Sequence, residues 1–286
     1  MEYAKMKISV TARLVSAGLA LGLSTVAVTA GPLMDRITAG EPIRIGFANE
    51  IPFAYPGEDG SPKGFVNATA LGVLAKMGYD NIEPVQTDWG GLIPGLQAGR
   101  FDVITGGMNI LASRCENIAF AEPMAKIGDA FVVASGNPMG IGNYADVKDK
   151  DAIMVTGAGY SNIEAAKGAG VMEAKIMQVP GPTEILAAVK AGRADAGAGT
   201  YFTVKQLADS SGGTLDVTDP AAMPEESINW AGIGFSKDDQ DFVDAFNAAQ
   251  AEYLGSPEMM AAVAEYGYGE GSLPGDKTTE WVCANR

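Results

Sequence analysis

The side chains that could do chemistry are few, and their types are restrictive. The chain has 286 residues and no histidine, which removes Ser-His-Asp and Cys-His catalysis and histidine-ligated metals. Two cysteines, Cys115 and Cys283, allow neither a CxxC pair nor a zinc arrangement, so no metal and no cofactor is implied. Gly157-Ala158-Gly159-Tyr160-Ser161-Asn162 reads as the opening of a helix. Exposed amides and a serine at a helix N-terminus suit an anionic group, such as a ligand carboxylate. Ordinary capping of the helix by Ser161 is the alternative, and the two are compatible. The terminal Gly-Lys-Ser/Thr of a phosphate loop is absent, and the glycine spacing is not a dinucleotide fingerprint. Glu50 is the only obvious acid or base placed in a loop of this kind.

Alternating strands and helices must position these groups. Ile43-Arg44-Ile45-Gly46-Phe47 reads as a strand that ends in the loop Ala48 to Phe53. Phe65 to Met77 has helical spacing and stops at Gly78. Trp89 to Gly99 reads as a helix, Arg100 to Thr105 as a strand and Gly106 to Asn109 as a loop. The same order returns about 90 residues later, where Ala191-Gly192-Arg193-Ala194-Asp195 repeats Ala98-Gly99-Arg100-Phe101-Asp102. Two copies of one unit imply two α/β lobes with mainly parallel sheets. Ligands in such sheets sit beyond the carboxyl ends of strands. Those ends are the loops at Asn49–Phe53, Gly106–Asn109, Gly157–Ser161 and Gly199–Tyr201. A linker after Ala134 and a return strand from Trp230 to Phe235 place residues 31–134 and 232–286 in lobe one. Residues 135–231 then form an inserted lobe two.

With 35 acidic and 20 basic residues, the net charge is −15, which argues against a nucleic-acid partner. Lys5, Lys7 and Arg13 precede an apolar stretch from Leu14 to Val28, closed by the small residues Val28-Thr29-Ala30. This pattern is expected to be a secretory signal, residues 1–30, cleaved after Ala30. The apolar stretch is short for a membrane span, which needs about 20 residues. An oxidising compartment favours a disulfide between Cys115 and Cys283, with two free buried thiols as the alternative.

The segment Trp89-Gly90-Gly91-Leu92-Ile93-Pro94-Gly95-Leu96-Gln97-Ala98-Gly99-Arg100-Phe101-Asp102, followed by Gly107-Met108 and Ser113-Arg114, resembles the polar amino-acid family of periplasmic binding proteins. The resemblance covers essentially the whole chain after residue 30. It implies a type II two-lobed fold, a ligand in the cleft between lobes, and delivery to an ABC permease in the inner membrane. Ala48-Asn49-Glu50-Ile51-Pro52-Phe53, Arg114-Cys115 and the late Cys283 are most similar to the ectoine/hydroxyectoine-binding members. Ser113 stands where those proteins carry glutamate.

What the resemblance implies can be set against each residue. Arg114 is similar to the family arginine that grips a ligand carboxylate with its planar fork; a surface ion pair is the alternative. Phe53 and Trp89 are similar to aromatics that cage a diffuse cation, and a third such aromatic is replaced here by Asn109. Tyr55, Tyr160 or Tyr201 is a candidate replacement. Thr200 stands where amino-acid binders commonly place an aspartate for the α-ammonium, so a negative group for a zwitterion must come from elsewhere; Glu50 is the candidate, with a plain solvated loop carboxylate as the alternative. Gly107 and Asn109 on one lobe, with Tyr160, Ser161 and Thr200 on the other, complete the expected contacts. The expected protein is a monomeric, periplasmic binding component for ectoine or hydroxyectoine. An amino-acid binder is the second reading, and a periplasmic dehydratase on the same scaffold is a remote third.

Overall fold

The computed structural model describes residues 31–286; the expected signal segment, residues 1–30, lies outside the described residues. Strand β1 (Ile43–Phe47) is followed by helix α1 (Phe65–Lys76), β2 (Ile82–Gln86), α2 (Leu92–Gln97) and β3 (Val103–Asn109). Then come the long strand β4 (Ala125–Ala134), α3 (Tyr144–Asp149), β5 (Met154–Gly157) and α4 (Ser161–Gly168). The chain continues through β6 (Ile176–Val179), α5 (Pro182–Lys190), β7 (Ala196–Thr200) and α6 (Tyr201–Ser210). It ends with β8 (Ile228–Phe235), α7 (Gln240–Tyr253) and α8 (Thr279–Asn285). No helix among the described residues is long and apolar enough to cross a membrane.

The principal strands lie in the order β2-β1-β3-β8-β4-β7-β5-β6. β1 runs parallel to β2 and β3, and β5 runs parallel to β6 and β7. The two antiparallel strands β8 and β4 join these groups. β4 changes partner within itself: Ala125 to Gly128 pair with β8, whereas Asp129 to Val133 pair with β7. The partner exchange falls before the linker expected after Ala134. The apolar cores divide at the same place. Ile127 and Ala231 belong to a core with Phe65, Phe235 and Phe242, whereas Ala130 and Val132 belong to one with Ile185 and Val204.

The repeated AGRxD segment has one structural job in both lobes. Gly99 and Gly192 each take φ +65, a left-handed turn that ends the preceding helix at no Cβ cost. The aspartate that follows bonds the neighbouring parallel strand. Asp102 accepts from Arg44 N at 2.9 Å, and Asp195 accepts from Ile153 N at 2.8 Å. Phe101 fills the space over two glycines, since a Cβ at Gly46 or Gly95 would run into its ring. Cys115 and Cys283 are joined in a disulfide that ties α8 to the short helix Ala112–Cys115.

Two local expectations need correction. Gly106 to Asn109 is the last part of strand β3, not a loop, because the segment keeps pairing with β8 as far as Asn109. Trp89 to Gly91 forms a single 3-10 turn before α2 begins at Leu92, so the helix is shorter than its spacing implied.

Candidate functional site

A cavity with an empty volume of ≈ 350 Å³ lies where the carboxyl ends of β1, β3, β5 and β7 converge. Lobe one contributes Glu50, Phe53, Trp89, Gly106, Gly107 and Asn109. Lobe two contributes Tyr160, Ser161, Asn162, Thr200 and Thr203.

Glu50 and Phe53 share a tight backbone turn. Glu50 N donates to Ala54 O at 2.8 Å, and Phe53 N donates to Glu50 O at 2.7 Å. The Phe53 ring packs on Phe65 at a centroid distance of 4.7 Å and against the backbone of Gly107. Gly107 is required there: its φ is +73, and a Cβ would lie 2.7 Å from Phe53 Cδ1. Across the cleft, Tyr160 immediately precedes α4, with its ring flat on Gly157, where a Cβ would lie 2.6 Å from Cδ1. Trp89 meets Tyr160 edge to face at 5.3 Å.

Four hydrogen bonds join the lobes over the cavity. Tyr160 OH donates to Glu50 Oε1, and Asn109 Nδ2 donates to Ser161 Oγ at 2.8 Å. The Gly159 carbonyl accepts from both Trp89 Nε1 at 3.2 Å and Arg114 Nη2 at 2.8 Å. The arrangement is that of a closed clamshell. Ser161 does not cap α4: the capping position is Tyr160, which makes no side-chain cap bond. Thr200 occupies the equivalent position before α6, and its hydroxyl lies 3.2 Å from that of Thr203.

Glu50 is the one carboxyl side chain that lines the cavity. Burial pushes its carboxyl up to about 8, with the Tyr160 hydrogen bond pulling the other way. Arg114 lies beside the cavity. It is only 7% exposed but does not line the cavity. Its Nη1 donates to Asn109 O at 2.7 Å and its Nη2 to Gly159 O, so two of its five N–H groups meet main-chain carbonyls. Burial pulls its guanidinium down to about 10, against the attraction of Glu164. It also lies 5.9 Å from the Trp89 ring, close enough to hold that ring from behind.

The structure therefore gathers Glu50, Phe53, Trp89, Gly107, Asn109, Tyr160, Ser161 and Thr200 around one cavity and leaves Arg114 behind it. Of the candidate replacements for the missing aromatic, Tyr160 lines the cavity and Tyr55 and Tyr201 do not. Gly106, Asn162 and Thr203 were not anticipated. Thr203 follows Thr200 by three residues in a first helical turn, a spacing that would have marked it. Chemically the cavity offers aromatic faces, hydroxyls, amides and one carboxyl.

Comparison with known proteins follows this geometry. Residues 43–269 match the family model described as bacterial extracellular solute-binding proteins, family 3. The chain belongs to that family. A probable amino-acid ABC transporter periplasmic-binding protein, y4tE of Sinorhizobium fredii, is 34% identical over 281 residues, covering 96% of this chain and 93% of that one. The L-cystine-binding protein TcyJ of Escherichia coli is 25% identical over 236 residues, covering 82% and 85% respectively. Among solved structures, EhuB in complex with hydroxyectoine aligns with a TM-score of 0.79 and 28% identity, covering 88% of this chain and 98% of that one. The fold is the two-lobed periplasmic binding protein fold, with the cavity in the interlobe cleft. The protein is the solute-binding component of an ABC importer and, like the relatives named for that role, not an enzyme. Its relatives place it in the periplasm, where it hands a small ligand to a permease.

Proposed function

We propose that the cleft captures a small zwitterion whose cationic part is delocalised, as in ectoine and hydroxyectoine. One observation carries this reading: the single carboxyl of the cavity, Glu50, sits among the rings of Phe53, Trp89 and Tyr160. Aromatic faces attract a diffuse cation by about 0.5–2 kcal/mol each when desolvated. Thr200 offers no charge to a primary α-ammonium. The ligand carboxylate would lie at the first turn of α4, against Ser161 and Asn162, with the positive charge of Arg114 behind Gly159. The structural likeness to EhuB, at 28% identity, supports the same reading.

A second reading, an amino acid as cargo, is favoured by the printed names of the curated relatives. In either case the two lobes close by bending in β4 and β8, the strands that connect them. Both lobes touch the ligand, which is what lets binding favour closure. We propose in addition that the leader is cleaved after Ala30 and that the exported protein is a monomer.

Calorimetric titration of ectoine, hydroxyectoine, glycine betaine and a panel of L-amino acids tests the reading. Micromolar ectoine binding that is lost in Glu50→Gln supports it. Silence toward ectoine beside micromolar binding of an amino acid sinks it and leaves the second reading.

A further inference from the structure

Asp129 is a buried carboxyl that ligand capture as described above does not use. It sits on β4 at the residue where that strand leaves β8 and takes up β7. It is 1% exposed. Tyr144 OH, from α3, donates to its Oδ2 at 2.7 Å, and Asn229 Nδ2, from β8, donates to its Oδ1 at 2.9 Å. Tyr144 OH in turn accepts from Asn162 Nδ2 at 2.8 Å. Asn162, 2% exposed, lines the ligand cavity on the first turn of α4. An unbroken chain of hydrogen bonds thus runs from the strand crossing to the cavity.

The donors and acceptors in this chain are not free to vary. An ionised carboxylate only accepts, so Tyr144 must spend its one proton on Asp129. The Tyr144 oxygen is then an acceptor and meets the amide nitrogen of Asn162. The Oδ1 end of Asn162 is the end not spent on Tyr144. Suppose Asp129 instead takes a proton from solvent. The proton cannot settle on Oδ1, because Asn229 Nδ2 faces that oxygen as a donor and is held as one by Ser227 O at 3.1 Å. It settles on Oδ2 and is donated to Tyr144. The Tyr144 proton must then turn to Asn162, and the amide satisfies it only by presenting Oδ1. The NH2 end of Asn162 becomes the end left for the ligand.

We infer that Asp129 is a positioning residue that sets, through Tyr144, whether Asn162 offers the ligand an acceptor or a donor. The inference rests on the cavity being the ligand site, and on a ligand carboxylate lying at the first turn of α4. Protonated Asp129 gives that carboxylate an N–H partner. Ionised Asp129 turns an amide oxygen toward it. Burial pushes the Asp129 carboxyl up to about 7, against the pull of Tyr144, Asn162 and Asn229, so the exchange falls in a physiological range. Tyr144 is the only titratable group bonded to it, and its own hydroxyl is raised well above its ordinary value by burial. From α4 and β8 Asp129 faces the neutral amides of Asn162 and Asn229, and β7 pairs with it at Thr200. Among the described residues, no lysine or arginine nitrogen lies within 4.0 Å of it.

The test compares wild type, Tyr144→Phe and Asp129→Asn by calorimetry from pH 5.5 to 8.5, with ectoine and L-glutamine as probes. Tyr144→Phe keeps the ring that packs edge to face on Phe131 at 5.2 Å but cannot relay a proton. Any titration of Glu50 is common to both proteins and cancels in the wild-type to Tyr144→Phe affinity ratio. That ratio is expected to be at least about fivefold larger at pH 5.5 than at pH 8.5 for the probe that binds, the size of one hydrogen bond gained. Asp129→Asn should show no such rise over Tyr144→Phe. A ratio flat within twofold overturns the inference, since a merely structural role would weaken binding equally at every pH. Binding of L-glutamine in place of ectoine sinks the proposed ligand class, yet the pH ratio measured with glutamine still decides the role of Asp129. If a variant fails to fold, or neither probe binds, the ligand-free wild type decides by nuclear magnetic resonance. The Asn162 side-chain amide should shift with a midpoint near neutrality, and an amide silent from pH 5.5 to 8.5 overturns the assignment.

Discussion

Glu50→Gln separates what this residue costs the closed protein from what it gives the ligand. In the closed form the carboxyl is buried and titrates at about 8, against an ordinary value of 4.5. At roughly 1.36 kcal/mol per pH unit, that difference is worth about 5 kcal/mol. The sign follows from which state holds the proton. Below pH 4.5 the group is protonated whether buried or hydrated, and closure is not penalised. As pH rises toward 8, the open or unfolded chain releases a proton that the closed form keeps, so the closed form loses stability steadily and then levels off. Glutamine removes the titration while still offering an oxygen to Tyr160. The variant's advantage over wild type should therefore be near zero at pH 4.5 and greatest above pH 8. Its ceiling is the smaller of about 5 kcal/mol and the free energy of opening the lobes, because opening also rehydrates Glu50. Differential scanning calorimetry and small-angle scattering on ligand-free protein at pH 4.5, 6.5 and 8.5 measure both routes. Wild type should show a lower Tm or a larger radius of gyration than the variant at pH 8.5 and match it at pH 4.5. Parallel profiles for the two proteins across that range would refute the reasoning.

Other expectations concern the frame. Replacing both Cys115 and Cys283 with serine opens a link that spans 168 residues, worth up to about 5 kcal/mol in the chain-entropy account. A fall in Tm of roughly 10 °C, with ligand affinity unchanged, is the expected calorimetric result. Gly46→Ala forces a methyl against the Phe101 ring and should cost about 1–3 kcal/mol, read as a lower denaturation midpoint. Arg114→Lys replaces a fork that reaches two carbonyls with one compact ammonium. Affinity for the bound solute should fall about tenfold through easier opening, and an unchanged dissociation constant would show that the Gly159 latch is idle.

The lobes and the general place of the site were legible because they are written in local pattern. The duplicated AGRxD segment marks a left-handed glycine and a strand-linking aspartate, and both obey backbone rules a sequence displays. The loops after β1 and β5 were found for the same reason. Arg114 was read as a ligand contact from resemblance, and the fold adds that two of its five N–H groups reach Asn109 O and Gly159 O. No sequence pattern reports that a main-chain carbonyl from the other lobe has reached a side chain first. The end of β3 was misjudged because Gly106 and Gly107 look like a turn, whereas here they make room for Leu92 and Phe53. Asp129, Tyr144, Asn162 and Asn229 are scattered over 100 positions, and only the folded chain brings them together.

The route of the chain also fixes an order of events in time. β4 and β8 are neighbours, but β5, β6 and β7 lie between them in sequence. A chain that emerges from its N-terminus can complete the β5–β7 layer against β4 while β3 still lacks its antiparallel neighbour β8. The first sheet must wait for residues 228–235, and the covalent seal at Cys115 must wait for Cys283, 168 residues later. Until then Cys115 is an unpaired thiol on an unfinished lobe. A chain cut short before α8 would carry a second lobe beside a first one that cannot be sealed.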